Sequence, residues 1–136
     1  MKEIRWGFIG CGSVAEQKSG PAFQQIKGSK IVAVMCRNAE NAADYAQRHG
    51  IEKWYSQVDD LIQDEEINAV YIATPPDSHA SYTLKALEAG KAVYVEKPMA
   101  LNYSEAKKML EASEKYQLPV FVAYYRRALS GFLKVK

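Results

Sequence analysis

Along nearly the whole of this 136-residue chain, a short apolar run is followed by an amphipathic stretch, about five times over. Few folds accommodate that rhythm. Ile4 to Ile9, Lys30 to Cys36, Lys53 to Tyr55, Asn68 to Ala73, Ala92 to Glu96 and Val120 to Tyr124 read as strands. The second, KIVAVMC, is too apolar to be half exposed. Ser13 to Ile26 reads as helical, with Gly20-Pro21 interrupting it and Pro21 opening a second piece. Asn38 caps a helix over Ala39 to His49 that packs through Ala42, Ala43, Tyr45 and Ala46, with Gly50 in the C′ position. A short helix spans Val58 to Gln63, and another, capped by Asp77 or Ser78, runs to Ala89 and stops at Gly90. Asn102 with Glu105 resembles a capping box for a helix to Tyr116. Strands alternating with helices imply a parallel sheet covered on both faces, because right-handed crossovers lay each helix over the sheet. The expected fold is α/β, a Rossmann-type doubly wound parallel sheet in a single domain over residues 1–124.

The length suits one domain with its own core. A net charge of +2 without a basic stripe argues against nucleic acid as a partner. No apolar run approaches a membrane span of about 20 residues, and residues 1–6 enter a strand without a secretory pattern. The expected location is cytoplasmic, with Cys11 and Cys36 as thiols that lack metal-site spacing. Asp59-Asp60 and Asp64-Glu65-Glu66 flank a short helix and read as solvated carboxylates rather than metal ligands.

Directly after the first strand stands Gly10-Cys11-Gly12-Ser13-Val14-Ala15, which fits G-x-G-x-x-A between a strand and a helix. Gly10 permits a tight turn, Gly12 lets backbone approach a pyrophosphate, and Ala15 lets the helix pack close to the strand. The helix N-terminus offers free N–H groups and partial positive charge to phosphates. Gly10, Gly12, Ser13, Val14 and Ala15 are therefore candidate dinucleotide contacts. At the end of the second strand, where an acidic residue would bond a ribose 2′-hydroxyl, the chain reads Cys36-Arg37. A neutral Cys36 does not repel a 2′-phosphate, and Arg37 offers it a planar donor fork. NADP is favoured over NAD, with Arg37 stacking on the adenine or facing solvent as the alternative.

Two later segments, Ala73-Thr74-Pro75-Pro76-Asp77-Ser78-His79 and Glu96-Lys97-Pro98, join the glycine loop in a more specific pattern. Together they resemble the N-terminal domain of the glucose–fructose oxidoreductase, inositol dehydrogenase and rhizopine-catabolism (Gfo/Idh/MocA) family. Bottom-up, Lys97 at the carboxyl end of the fifth strand projects an ammonium toward the ligand crevice, where it can orient a substrate hydroxyl and stabilise an alkoxide. Glu96 can hold it in place and Pro98 fixes the turn. The resemblance implies that Lys97 is a catalytic and cofactor-binding residue and that Glu96 is a cofactor-binding one. Thr74 and Pro75 read as contacts in a stiff loop by the nicotinamide ribose. His79 and His49 read as structural. Tyr124 and Tyr125 read as packing residues, and Arg126 borders the family's substrate cleft.

Members of that family are more than twice this length and carry a second, α+β domain with most substrate contacts. The expectation is that this domain is absent here and that residues 125–136 begin the connection to it. The functional reading is the nucleotide-binding domain of an NAD(P)-dependent oxidoreductase that moves hydride between nicotinamide and a sugar or polyol-type substrate, with little activity as this fragment. A face left uncovered would favour self-association. The alternatives are a non-catalytic NAD(P)-binding sensor, and a Rossmann-like protein binding another nucleotide, which Arg37 and Glu96-Lys97-Pro98 disfavour.

Overall fold

The computed structural model describes residues 2–12 and 15–124. Six parallel strands form one sheet: β1 (Ile4–Ile9), β2 (Ser29–Met35), β3 (Lys53–Tyr55), β4 (Ala69–Ile72), β5 (Ala92–Glu96) and β6 (Val120–Ala123). Their order is β3-β2-β1-β4-β5-β6. That order reverses between β1 and β4, and open α/β sheets bind ligands outside the carboxyl ends of the strands at such a point. A π-helical turn (Ala15–Ser19) leads into α1 (Gly20–Gln25). The remaining helices are α2 (Ala39–His49), α3 (Val58–Ile62), α4 (His79–Glu88) and α5 (Tyr103–Tyr116).

Each strand alternates its side chains between two cores. Phe8, Ile31, Val34 and Tyr71 pack with Ala15, Tyr45 and Ala46 on the side of α1 and α2. Ile9, Met35, Val70, Ile72, Val93 and Val95 pack with Leu61, Leu87 and Met109 on the side of α3, α4 and α5. The register of β1 against β2 jumps from Trp6↔Ile31 to Gly7↔Ala33, so Val32 is an extra residue. The bulge keeps Phe8↔Val34 and Ile9↔Met35 paired on matching faces.

Helix ends follow the sequence closely. Asn38 Oδ1 accepts from the Asn41 amide at 3.1 Å, and Gly50 ends α2 with φ +68. Asn102 Oδ1 accepts from the Glu105 amide at 2.9 Å, while Glu105 Oε1 accepts from Leu101 N at 2.9 Å. Other boundaries differ from expectation for local reasons. Neither Asp77 nor Ser78 caps α4. Pro76–Ser78 forms a 3-10 turn, and the Ser78 hydroxyl bonds Pro75 O at 2.8 Å and Thr74 Oγ1 at 2.5 Å instead. Strand β6 stops at Ala123 because Tyr124 N donates to Val122 O at 2.8 Å, folding the chain out of the ladder. Strand β4 runs Ala69–Ile72, one residue short of the expected run at each end; the Asn68 side chain accepts from Arg5 N at 2.7 Å and donates to Glu3 O at 3.0 Å.

The solvated reading of Asp64 is wrong. Its side chain is 6% exposed and accepts from Tyr55 OH at 2.8 Å, Lys53 Nζ at 3.0 Å and the Glu66 amide at 3.0 Å. Burial would raise its carboxyl, but those donors outweigh it and hold it below the usual range. Asp59 does stand at the surface, paired with Lys85 at 2.9 Å. Among the described residues no cluster of three or more His, Cys, Asp or Glu could hold a metal ion, and no helix is long and apolar enough to cross a membrane.

Candidate dinucleotide site

Three chain segments leave the sheet at the topological reversal, and a crevice opens between them. Gly10 and Gly12 line it from the end of β1, Cys36 and Arg37 from the end of β2, and Thr74 and Pro75 from the end of β4. The candidates Gly10, Gly12, Arg37, Thr74 and Pro75 thus share one cavity. Ala15 lies fully buried beneath it. Ser13 and Val14 lie outside the described residues, as do Tyr125, Arg126 and the expected connection over 125–136.

The loop's two glycines serve different ends. Gly10 has φ +103, and a Cβ there would lie 2.9 Å from Ala73 O, so β1 and β4 could not close together. Gly12 lacks a positive φ, and a Cβ there would meet nothing within 4 Å. Packing among the described residues gives no reason for a glycine at 12. The missing side chain faces open space beside the crevice, which fits the close approach of a ligand.

Sequence reasoning missed what holds this loop's helix down. Tyr45 OH donates to Ala15 O at 2.8 Å from within the α2 core. Burial, then the charge of Glu16, pushes its phenol up to about 12, so it stays a donor. A Cβ on Gly20 would come within 2.5 Å of both Ala15 O and Tyr45 OH, so glycine is required where α2 crosses. Just outside, Glu16 meets Arg48 through both terminal guanidinium nitrogens, Nη1 and Nη2, and His49 Nε2 at 2.9 Å. The Arg48 hydrogen bond is the largest influence on Glu16, and its carboxyl falls from 4.5 to about 2. His49 is therefore a structural partner, stacked on Tyr45 at 4.2 Å.

A group whose folded pKa is depressed adds stability above its unfolded value, which is lost as pH falls through the folded one. Wild-type chain is expected to lose stability between pH 4.5 and 2, and Glu16→Gln to flatten that part of the profile. Urea midpoints at stepped pH measure the difference; parallel profiles would show that the contact is energetically silent.

Cys11 and Cys36 are free thiols that meet at the crevice. Burial first, then the hydrogen bond with Cys36, pushes the Cys11 thiol up to about 12. It is protonated at neutral pH and a poor nucleophile. Cys36 is followed by Arg37, an exposed side chain with no ion pair among the described residues.

Glu96 and Lys97 do not line this crevice. They border a second one on the α1 side of the sheet, with Lys18, Ser19, Phe23 and Tyr94. Glu96 does not hold Lys97, contrary to the expectation from sequence. Its Oε1 accepts from Tyr71 OH at 2.5 Å, because residues 94 and 96 of β5 point to the face that carries Tyr71. Lys97 is exposed and joined to Pro98 by a cis peptide bond. The loops bearing Thr74 and Pro98 are tied together by His79, 1% exposed, whose Nδ1 lies 2.8 Å from Pro98 O and Nε2 2.7 Å from Thr74 O. Both ring nitrogens are occupied, so His79 is a strut between loops.

A strand–glycine loop–helix opening, a 3-2-1-4-5-6 parallel sheet and a crevice at its reversal define a dinucleotide-binding Rossmann domain. The chain belongs to the Gfo/Idh/MocA oxidoreductase family: residues 4–124 match that family's NAD-binding Rossmann fold. It is 53% identical over 133 residues to an oxidoreductase of Formosa agariphila, covering 98% of this chain and 41% of that protein. It is 36% identical to the 1,5-anhydro-D-fructose reductase of Ensifer adhaerens over 82% of this chain and 33% of that protein. A 3-ketoreductase from Actinomadura kijaniata, solved with NADP and TDP-benzene, superposes with a TM-score of 0.93 at 25% identity, over 98% of this chain and 41% of that one. A scyllo-inositol dehydrogenase from Lactobacillus casei, solved with NAD(H) and scyllo-inositol, shares the fold with a TM-score of 0.90 at 24% identity. The chain thus spans between a third and about two-fifths of the length of these relatives.

Proposed function

We propose that this chain is the dinucleotide-binding part of an NADP-preferring oxidoreductase that moves hydride between a nicotinamide and a sugar or polyol-type substrate. The carrying observation is the crevice at the sheet reversal, with Gly12 beside it and Arg37 on one wall, where among the described residues nothing lies within 4 Å of a Cβ at Gly12 and Arg37 has no ion pair. Gly10, Gly12, Ser13, Val14 and Ala15 form the phosphate loop in this reading. Arg37, beside Cys36 rather than an acidic residue, meets the 2′-phosphate through its donor fork. Thr74 and Pro75 shape the wall toward the nicotinamide ribose. The nicotinamide, when bound, supplies or takes up the hydride. Lys97 orients the substrate hydroxyl and stabilises the developing alkoxide with its ammonium, and Glu96 shapes the crevice beside it. Residues 125–136 lead toward the rest of the protein, where most substrate contacts would lie. The location is cytoplasmic and the partners are the dinucleotide and a small polyol, not nucleic acid or membrane. An apolar groove formed by Trp6, Phe23, Ile26, Tyr94 and Phe121 supports self-association of the chain by itself.

Arg37→Ala tests the cofactor assignment. A hydrogen bond between charged groups contributes about 1.5–3 kcal/mol, so NADPH affinity should fall about 10- to 100-fold while NADH affinity holds. Fluorescence titration with both dinucleotides reads this. Equal losses for both, or tighter NADH binding by the wild type, would overturn the NADP preference and keep the domain.

A further inference from the structure

The fully buried Tyr71 carries a phenol in an otherwise apolar strand, and such a group needs a partner. It has two. Its oxygen lies 2.5 Å from Glu96 Oε1 and 2.7 Å from Ser19 Oγ. A carboxylate only accepts, so the phenolic proton is committed to Glu96, and Ser19 must donate to the phenol. The run is therefore Ser19 O–H to Tyr71 O–H to Glu96, and each bond polarises the next. It crosses from the turn after the glycine loop, through β4, to the last residue of β5. Burial, then the hydrogen bond to Glu96, pushes the Tyr71 phenol well above its ordinary range, so it remains a donor.

The next residue is Lys97. Among the described residues it has no carboxylate partner, although Glu96 is its neighbour and shares its crevice. An adjacent carboxylate on an exposed loop ordinarily screens a lysine. Here that carboxylate is engaged on the sheet face.

We propose that Tyr71, backed by Ser19, is a positioning residue that keeps Glu96 turned onto the sheet and so leaves the Lys97 ammonium uncompensated for a ligand oxygen. The proposal deepens the reading of Lys97 given above and rests on it for its purpose. The geometry stands apart from cofactor binding. An ammonium already paired with Glu96 would have to break that pair before meeting a substrate hydroxyl. An uncompensated one is preorganised for charge developing on oxygen.

The test reads Lys97 directly. The chain is reductively methylated with ¹³C-formaldehyde, the Lys97 signal is assigned by its loss in Lys97→Arg, and its pKa is followed by NMR. The other titrating groups at this crevice are Lys18, Tyr71, Tyr94 and Glu96. In Tyr71→Phe, Glu96 is released to approach the ammonium, and the Lys97 pKa should rise by about 0.5 unit, the scale of a partly exposed ion pair. Adding Glu96→Gln should abolish the rise. No rise in Tyr71→Phe, or a rise that survives Glu96→Gln, overturns the proposal. If Tyr71→Phe fails to fold, Ser19→Ala gives the same comparison, with a smaller rise for and no rise against. NADPH titration of the same samples keeps the outcomes separate. Loss of binding by the wild type would remove the oxidoreductase reading while the Lys97 titration still decides the role of Tyr71.

Discussion

Lys97→Ala is expected to lower turnover by about 10²–10⁴-fold, the usual range for a positioned group that handles charge on a reacting oxygen. The measurement needs a completed cleft, for instance this chain joined to the C-terminal part of the Formosa relative, with which it shares 53% identity. Dinucleotide affinity should hold within about threefold, because Lys97 borders a different crevice from the one that the glycine loop lines. A fall in kcat with unchanged dinucleotide affinity identifies a group that acts on the substrate. A fusion that turns over normally without Lys97 would return the domain to the reading as a nucleotide sensor, which has no use for an ammonium there.

The second large effect separates two glycines that look alike in the motif. Gly10→Ala should destabilise the fold by about 3 kcal/mol. Part is the left-handed penalty at φ +103, and part is overpacking against Ala73 O at 2.9 Å. Gly12→Val should leave the melting temperature unchanged, because among the described residues a Cβ there meets nothing within 4 Å. It should cost about 100-fold or more in dinucleotide affinity by blocking charged hydrogen bonds of about 1.5–3 kcal/mol each. Thermal unfolding and titration of both variants give the crossed pattern. If Gly12→Val unfolded the chain and bound normally where folded, the open space would have another purpose.

The sequence carried the layered architecture well because the architecture is periodic. The ranges of α2, β3, β5 and α5 coincide with their apolar patterns and caps, Asn38 with Gly50 and Asn102 with Glu105. The errors fall where a side chain left its expected local role for a distant partner. Ser78 looked like a helix cap, but its hydroxyl bonds the Thr74-Pro75 loop. Asp64 looked like one of three surface acids, yet Lys53 and Tyr55 draw it inward. Those pairings depend on tertiary register, which no local pattern encodes.

The site was legible in the same uneven way. The glycine loop, Arg37 and the Thr74-Pro75 loop converge on one crevice, as strand order requires. The Glu96–Lys97 pairing was misread because Glu96, the last residue of β5, is drawn onto the sheet face by Tyr71, while Lys97 follows it as an exposed residue beyond the strand. One sequence signal could have corrected it. In NAVYIA the only side chain with a polar tip in the middle of the strand is Tyr71, and Tyr94 and Glu96 share a face at i and i+2. Gly20 and Tyr45 carried no comparable signal, since their contact joins elements 25 residues apart only after α2 has crossed the loop's helix.

The central claim is that the crevice at the sheet reversal holds a nicotinamide dinucleotide. Calorimetric titration of the chain with NADPH and then NADH tests it most directly. One dinucleotide should bind per chain, with NADPH the tighter. Binding of neither, by a chain that is folded by circular dichroism, would contradict it.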